Sequence, residues 1–254
     1  TNFKKYDIGI SFNIKSTLLH IKIQYAILHL FVKTEDLNRR RKYMQIVKGK
    51  RYYEGRKFST VIEMIRQTVE KNSGTDAYLF RRSPDSEVIH KSYKNYIDDI
   101  EAFGTALLGL GLSGQHVAVL GENRYEWAIA HTAITNGVGV SVPLDKLLPA
   151  NEVENLLMRG EAKAYVFSPK FYADALDIAS RNKDIEYFIC MMPSEIGEEM
   201  TSDPRFIDMN TLLENGRRSL ADGDRSFLDA KIDTKAMSAL LFTSGTTSMS
   251  KGVM

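Results

Sequence analysis

Cysteine is almost missing from this chain. The single one, Cys190, excludes an intrachain disulfide framework and any zinc site built on several thiolates. Tyr187, Phe188, Ile189 and Met191 around it are apolar, so it reads as a small buried hydrophobe rather than a nucleophile. A surplus of one charge is missing as well. Lys and Arg number 34 against 32 Asp and Glu, a net of +2. The whole chain therefore gives no argument for nucleic acid as a partner. Long apolar runs are also lacking. A membrane-spanning helix needs about 20 mostly apolar residues, and Leu18 to Val32 is shorter and broken by His20, Lys22, Gln24 and His29. No unbroken apolar stretch with a small-residue cleavage site marks a signal peptide. These absences fit a reducing compartment, and the expectation is a cytoplasmic protein. The five histidines, His20, His29, His90, His116 and His131, show no metal-ligand spacing.

What is present is ordinary globular composition, 43% hydrophobic and 26% charged over 254 residues. That length suits one large domain or two small ones. The charge is unevenly placed. Residues 1–48 hold ten basic and three acidic residues, so the remainder is net acidic. The chain begins at Thr1, and its first methionine is Met44, just after Arg39, Arg40, Arg41 and Lys42. Residues 1–43 read as a basic leader outside the fold, upstream of a natural start. A second reading makes them a basic arm that touches a membrane surface peripherally.

From Phe58 onward helix and strand patterns alternate. Ser59 is placed to cap a helix to about Asn72 with Ile62, Ile65 and Val69 on one face. Ala77–Phe80 and Glu87–Ile89 read as strands of a hairpin turned at Ser83–Ser86. Ser92 caps a helix whose apolar face is Tyr93, Tyr96, Ile97, Ile100, Phe103 and Leu107, ended by Gly109 and Gly111. A strand at His116–Leu120 leads to a helix from Arg124 to Thr135. Gly139–Val142 is a strand stopped by Pro143, and Pro149 opens a helix to Met158. Ala164–Phe167 and Tyr187–Met191 are strands around a helix at Phe171–Ala179. Asp203–Pro204 falls in a loop, and Leu212–Leu220 forms a short helix. Strands separated by helices of about ten residues predict an α/β fold, mainly parallel sheets with helical crossovers. Glu122 and Glu126 share a helical face in this reading, with paired-carboxylate catalysis disfavoured. Trp127 and Ile134 read as core, and His131 as a packing or surface residue.

The last strand, Ala239–Phe242, is fully apolar and opens into Thr243-Ser244-Gly245-Thr246-Thr247-Ser248-Met249-Ser250-Lys251-Gly252. Gly245 lets the backbone turn tightly. Consecutive N–H groups and hydroxyls make an anion-binding concavity, and Lys251 adds a full positive charge. A polyphosphate needs this chemistry: many donors, little bulk and one mobile cation. The segment is not a Walker A loop, because Ser precedes Lys251 and Gly follows it. The bland alternative is a Ser/Thr-rich surface turn.

Leu241 through Thr247, with Lys251-Gly252-Val253, resembles the phosphate loop of the adenylate-forming (AMP-binding) superfamily. That superfamily includes acyl-CoA synthetases, peptide-synthetase adenylation domains and luciferases. Ser248 and Ser250 stand where the commonest form has Gly and Pro. The resemblance extends upstream to about residue 52. Val117 through Trp127, with Gly121-Glu122-Asn123-Arg124 and the Glu126-Trp127 pair, is similar to the long-chain fatty acyl-CoA synthetase branch, as is Val142-Pro143-Leu144 with Pro149 and Glu152.

The resemblance implies a ligase fold and activity. A carboxylate attacks the α-phosphate of ATP with Mg²⁺ present, giving an acyl-adenylate and pyrophosphate, and the thiol of coenzyme A then displaces AMP. It implies that Thr243, Ser244, Gly245, Thr246, Thr247 and Lys251 hold the β and γ phosphates, with Lys251 the catalytic cation. The expected partners are a fatty acid, ATP and coenzyme A. Residues 44–254 would then be a partial N-terminal AMP-binding domain, ending just after the phosphate loop and inactive alone. Motifs for adenine, ribose, metal and coenzyme A would lie downstream. Two other readings stay open: a peptide-synthetase-type adenylation domain and a non-catalytic nucleotide-binding module.

Overall fold

A computed structural model describes residues 49, 55–197, 199–243 and 251–254, with only the backbone of Lys251. The expectation of a leader over residues 1–43 lies outside them. The chain divides into compact units at Arg56 and Lys57, and the second unit, residues 57–254, is described here.

The first helix, α1 (Val61–Asn72), is capped by Thr60, whose hydroxyl accepts from the Glu63 N–H. Ser59, the expected cap, sits one residue too early. Its own N–H instead donates to Glu63 Oε2 at 2.6 Å. Ile62 and Ile65 are buried as expected, and Val69 packs against the same core. β1 (Asp76–Phe80) and β2 (Ile89–Ser92) form an antiparallel hairpin. The second strand starts two residues later than expected, because the turn is pinned by Ser86. Its hydroxyl accepts from the N–H groups of Arg82 and Ser83 and donates to the Ser83 carbonyl. Ser92 caps α2 (Tyr93–Gly109) through a full capping box with Asn95.

Five strands then form one wholly parallel sheet: β3 (His116–Leu120), β4 (Val140–Leu144), β5 (Ala162–Phe167), β6 (Tyr187–Cys190) and β7 (Phe206–Asp208), in the order β4-β3-β5-β6-β7. β7 falls in a stretch given no element from sequence, between the Asp203–Pro204 loop and the helix expected from Leu212. It has only three residues, beside Asp203 and Pro204, and gives too short a pattern to detect. The helices are α3 (Tyr125–Ala133), α4 (Ala150–Arg159), α5 (Tyr172–Arg181) and α6 (Met209–Ala221). The helix expected to reach Thr135 gives way to a π turn at Ile134–Val138.

Strand periodicity decides the two cores. Val117, Val119, Ala164, Val166 and Ile189 face one side, under α1, α2, α3 and α6. Ala118, Leu120, Tyr165, Phe167, Phe188 and Cys190 face the other, under α4 and α5. Both faces are covered, so these strands are apolar throughout rather than alternating. Cys190 is fully buried, as read from sequence, and burial pushes its thiol up to about 12. Where α6 crosses α2 the backbones nearly touch. A Cβ on Gly216 would stand 1.9 Å from the Ala102 carbonyl oxygen.

β4 corrects another expectation. It runs through Pro143 to Leu144 instead of stopping before the proline. Proline is tolerated there because β4 lies at the edge of the five-stranded order. The outer edge does pair once. The Ser141 N–H donates to the Ser238 carbonyl and the Leu240 N–H to the Ser141 carbonyl, both at 2.9 Å. The next donor in that ladder would be residue 143, which has no N–H. Pairing ends there, and the chain departs as β8 (Leu241–Thr243), which pairs antiparallel with β9 (Lys251–Val253). The expected strand at Ala239–Phe242 is thus a single bridge at Ala239 followed by a hairpin strand.

Candidate functional site

The β8–β9 register sets Leu241 opposite Val253, Phe242 opposite Gly252 and Thr243 opposite Lys251. Thr243 and Lys251 are therefore paired at the closing end of the hairpin, and the segment 244–250 joins them. Of the site residues read from sequence, these two are brought together. Ser244, Gly245, Thr246 and Thr247 lie outside the described residues. Phe242 anchors the root of the hairpin on the α4 side. The Arg159 guanidinium lies 5.5 Å from its ring centre. Gly252 leaves room for the ring, since a Cβ there would stand 3.6 Å from Phe242 Cε1 and 3.1 Å from Leu240 Cδ1. Leu241 and Val253 are about half exposed on the outer face.

A second cluster lies at the C-terminal end of β3, where parallel sheets place their crevices. β3 sends its crossover to β4 on one side, while β5 pairs on the other. The segment Gly121-Glu122-Asn123-Arg124 leaves β3 there and starts α3. Glu122 precedes the helix and Glu126 lies inside it, so the two do not share a helical face. Glu126 is buried and engaged by two arginines. Arg82 makes a two-pronged contact through Nη1, at 3.1 Å, and Nη2, and Arg124 Nε lies 3.4 Å from Oε2. Arg124 also makes two 2.9 Å bonds to Glu195. Burial opposes the charge on Glu126, but the Arg82 hydrogen bonds, its own backbone and both guanidinium charges outweigh it. Its carboxyl is held below the usual range. Burial opposes charge on Glu122 too, and the nearby Ser168 hydroxyl, its own backbone, Arg124 and Lys170 outweigh it.

Trp127 is partly buried and stacks on His131, ring centres 5.0 Å apart. His131 Nδ1 lies 2.9 Å from Ser141 Oγ, and burial lowers its pKa. This is the packing role read from sequence. It also connects α3 to the β4 residue that pairs with the segment before β8. The cluster of Arg82, Arg124, Glu126 and Glu195 was not foreseen. Its signal was available: a Glu-Asn-Arg run at the carboxyl end of a parallel strand, before a helix.

Helices thus cover both faces of a five-stranded parallel sheet, and the β8–β9 hairpin follows the single bridge at its outer edge. The chain belongs to the AMP-binding enzyme family, which matches residues 65–254. It is 28% identical over 162 residues to a 3-[(3aS,4S,7aS)-7a-methyl-1,5-dioxo-octahydro-1H-inden-4-yl]propanoyl:CoA ligase of Rhodococcus jostii (strain RHA1), covering 62% of this chain and 31% of that protein. It is 27% identical over 143 residues to a CoA ligase of Gibberella moniliformis (strain M3125 / FGSC 7600), covering 56% of this chain and 20% of that protein. The chain thus spans less than a third of the length of either relative. In structure it is similar to an anthranilate CoA ligase crystallised with anthranoyl-AMP. The TM-score is 0.61 at 20% identity, over 76% of this chain and 33% of that one.

Among the described residues no helix is long and apolar enough to cross a membrane.

Proposed function

We propose that this chain supplies the pyrophosphate-gripping wall of an ATP-dependent acid–CoA ligase. The supporting observation is the pairing of Thr243 with Lys251 across a hairpin, at the two ends of the sequence stretch that holds Ser244, Gly245, Thr246 and Thr247. In the reaction a carboxylate oxygen bonds to the α-phosphorus and the bond to the β-phosphate oxygen breaks. The loop N–H groups and hydroxyls, with the Lys251 ammonium, stabilise the charge that accumulates on departing pyrophosphate. The thiol of coenzyme A then displaces AMP. Among the described residues no group of three or more His, Cys, Asp or Glu is placed to hold a metal ion. No residue is therefore assigned to the Mg²⁺ that accompanies ATP, and no step is routed through it.

The acid we favour is a fatty acid, on the strength of Glu122-Asn123-Arg124 with Trp127. A second reading, a ring-bearing acid, is favoured by the name of the Rhodococcus jostii relative. A cytoplasmic site is proposed on the single, buried, free cysteine. The test is acid-dependent ATP–pyrophosphate exchange by the complete gene product, with fatty acids of increasing length beside aryl and polycyclic acids. Exchange with fatty acids alone supports the first reading, and exchange with ring-bearing acids alone supports the second. No exchange with any acid, despite ATP binding, favours a non-catalytic nucleotide module.

A further inference from the structure

The hairpin that carries Thr243 and Lys251 hangs from the sheet by few bonds. The segment entering it is tied to the β4 edge at Ser141, which accepts from the Leu240 N–H and donates its own N–H to the Ser238 carbonyl, both at 2.9 Å. Among the described residues no other backbone bond joins β4 to residues 230–243. Pro143 has no N–H to offer a further rung. Where the hairpin root stands therefore depends on where the Ser141 backbone stands.

Ser141 is held by more than the sheet. It is fully buried, and a buried hydroxyl needs a partner. His131 Nδ1, 2.9 Å from Ser141 Oγ, is that partner. The bond forms with either tautomer of the ring, because a hydroxyl both donates and accepts. His131 stands in the last turn of α3, and the Trp127 ring, one turn earlier on the same helix, stacks on it with an interplanar angle of 20°. The imidazole is thus steadied by the indole while it holds the hydroxyl. Trp127 packs against the core on one side of the sheet and Phe242 against the core on the other. On that second side the root has its own support, the Arg159 guanidinium over the Phe242 ring. The root of the hairpin is therefore held from both faces, by α3 through Ser141 and by α4 through Phe242.

We propose that His131 is a positioning residue for the pyrophosphate grip: through Ser141 it sets the place of the β8–β9 hairpin, and so where the Thr243–Lys251 pair meets the departing pyrophosphate. The inference rests on reading that hairpin as the grip. The test is ATP–pyrophosphate exchange by the complete gene product, with the KM values for inorganic pyrophosphate and for the acid that drives exchange in the wild type measured separately. His131→Leu keeps bulk beside Trp127 but cannot bond to Ser141. It should raise the KM for pyrophosphate about tenfold, short of the roughly hundredfold that a 1 Å misplacement can cost, and leave the KM for the acid unchanged. His131→Asn, whose amide reaches the place of Nδ1, should restore most of it. A loss of folded protein lowers the apparent kcat and moves no KM, so the split separates placement from stability. Ser141→Ala breaks the same bond from the other side and should repeat the leucine result, which keeps the test decisive where His131→Leu does not fold. A second readout needs no substrate: amide exchange at Leu240 should quicken in His131→Leu and recover in His131→Asn. An unchanged KM for pyrophosphate in both bond-breaking variants, while Lys251→Ala slows exchange, overturns the inference and leaves the reading of the hairpin standing. An equal rise in the KM for the acid overturns it too, since general packing then accounts for the effect. Unchanged exchange in Lys251→Ala overturns the reading of the hairpin, and the inference with it.

Discussion

Glu126→Gln tests the physical reading of the strand-end cluster. Glu126 is 5% exposed and carries the only buried carboxylate among the two arginine pairs there. Breaking a fully buried ion pair by removing one partner costs about 3–5 kcal/mol, because the surviving charge is left unpaired. An exposed pair is worth about 1 kcal/mol or less. Here Arg82 keeps 26% of its side chain exposed and has Glu195 within 3.7 Å, so it recovers part of the loss. The expected cost lies between those limits, about 2–3 kcal/mol. For a domain of this size that is a fall in Tm of about 4–12 °C at pH 7.

The pH dependence supplies the sharper test. The folded-state pKa of Glu126 is depressed, so the native state binds its proton less readily than the unfolded chain does. Its stabilisation is therefore fully present above the unfolded carboxyl value of about 4.3 and is lost as pH falls through the folded value. The gap between wild type and Glu126→Gln, measured by urea denaturation from pH 7 downward, should hold to about pH 5 and then close. A gap that is absent at pH 7, or that persists unchanged at pH 3, would refute the electrostatic account and leave packing as the explanation.

Lys251→Ala in the complete gene product should slow acid-dependent ATP–pyrophosphate exchange by tens- to hundreds-fold, the equivalent of about 2–4 kcal/mol of leaving-group stabilisation. Lys251→Arg should restore only part of it, and unchanged exchange in the alanine variant removes the loop assignment. Gly216→Ala should destabilise the chain by about 3 kcal/mol, because the new methyl must push α6 away from Ala102, as chemical denaturation will read. Deleting residues 1–43 should leave Tm within a few degrees, and a fall of more than about 10 °C contradicts a leader outside the fold. Pro143→Ala supplies the N–H that the outer ladder lacks, so amide exchange at Leu240 should slow, and unaltered exchange shows that the proline is not what ends the pairing.

The sequence alone determined the alternation of strand and helix, because each buried strand is a short apolar run and each helix carries an apolar stripe at its own period. His116–Leu120 was legible to the residue, and Ser92 as a cap, since both signals are local. The hydroxyl-rich run before Lys251 stands out in the sequence because its residues are consecutive, and the register that pairs Thr243 with Lys251 came from the structure. Tertiary structure decided the rest. Whether Pro143 ends a strand depends on which side of it another strand lies, and that is fixed by the order of the sheet. β7 exists because Phe188 and Cys190 offer an edge for it, not because three residues insist on it. The pairing of Glu126 with Arg82 joins residues 44 apart, and that of Arg124 with Glu195 joins residues 71 apart. Charge complementarity at such separations leaves no periodic trace in a sequence. It arises only when folding brings the hairpin turn, the start of α3 and the segment after β6 to one end of the sheet.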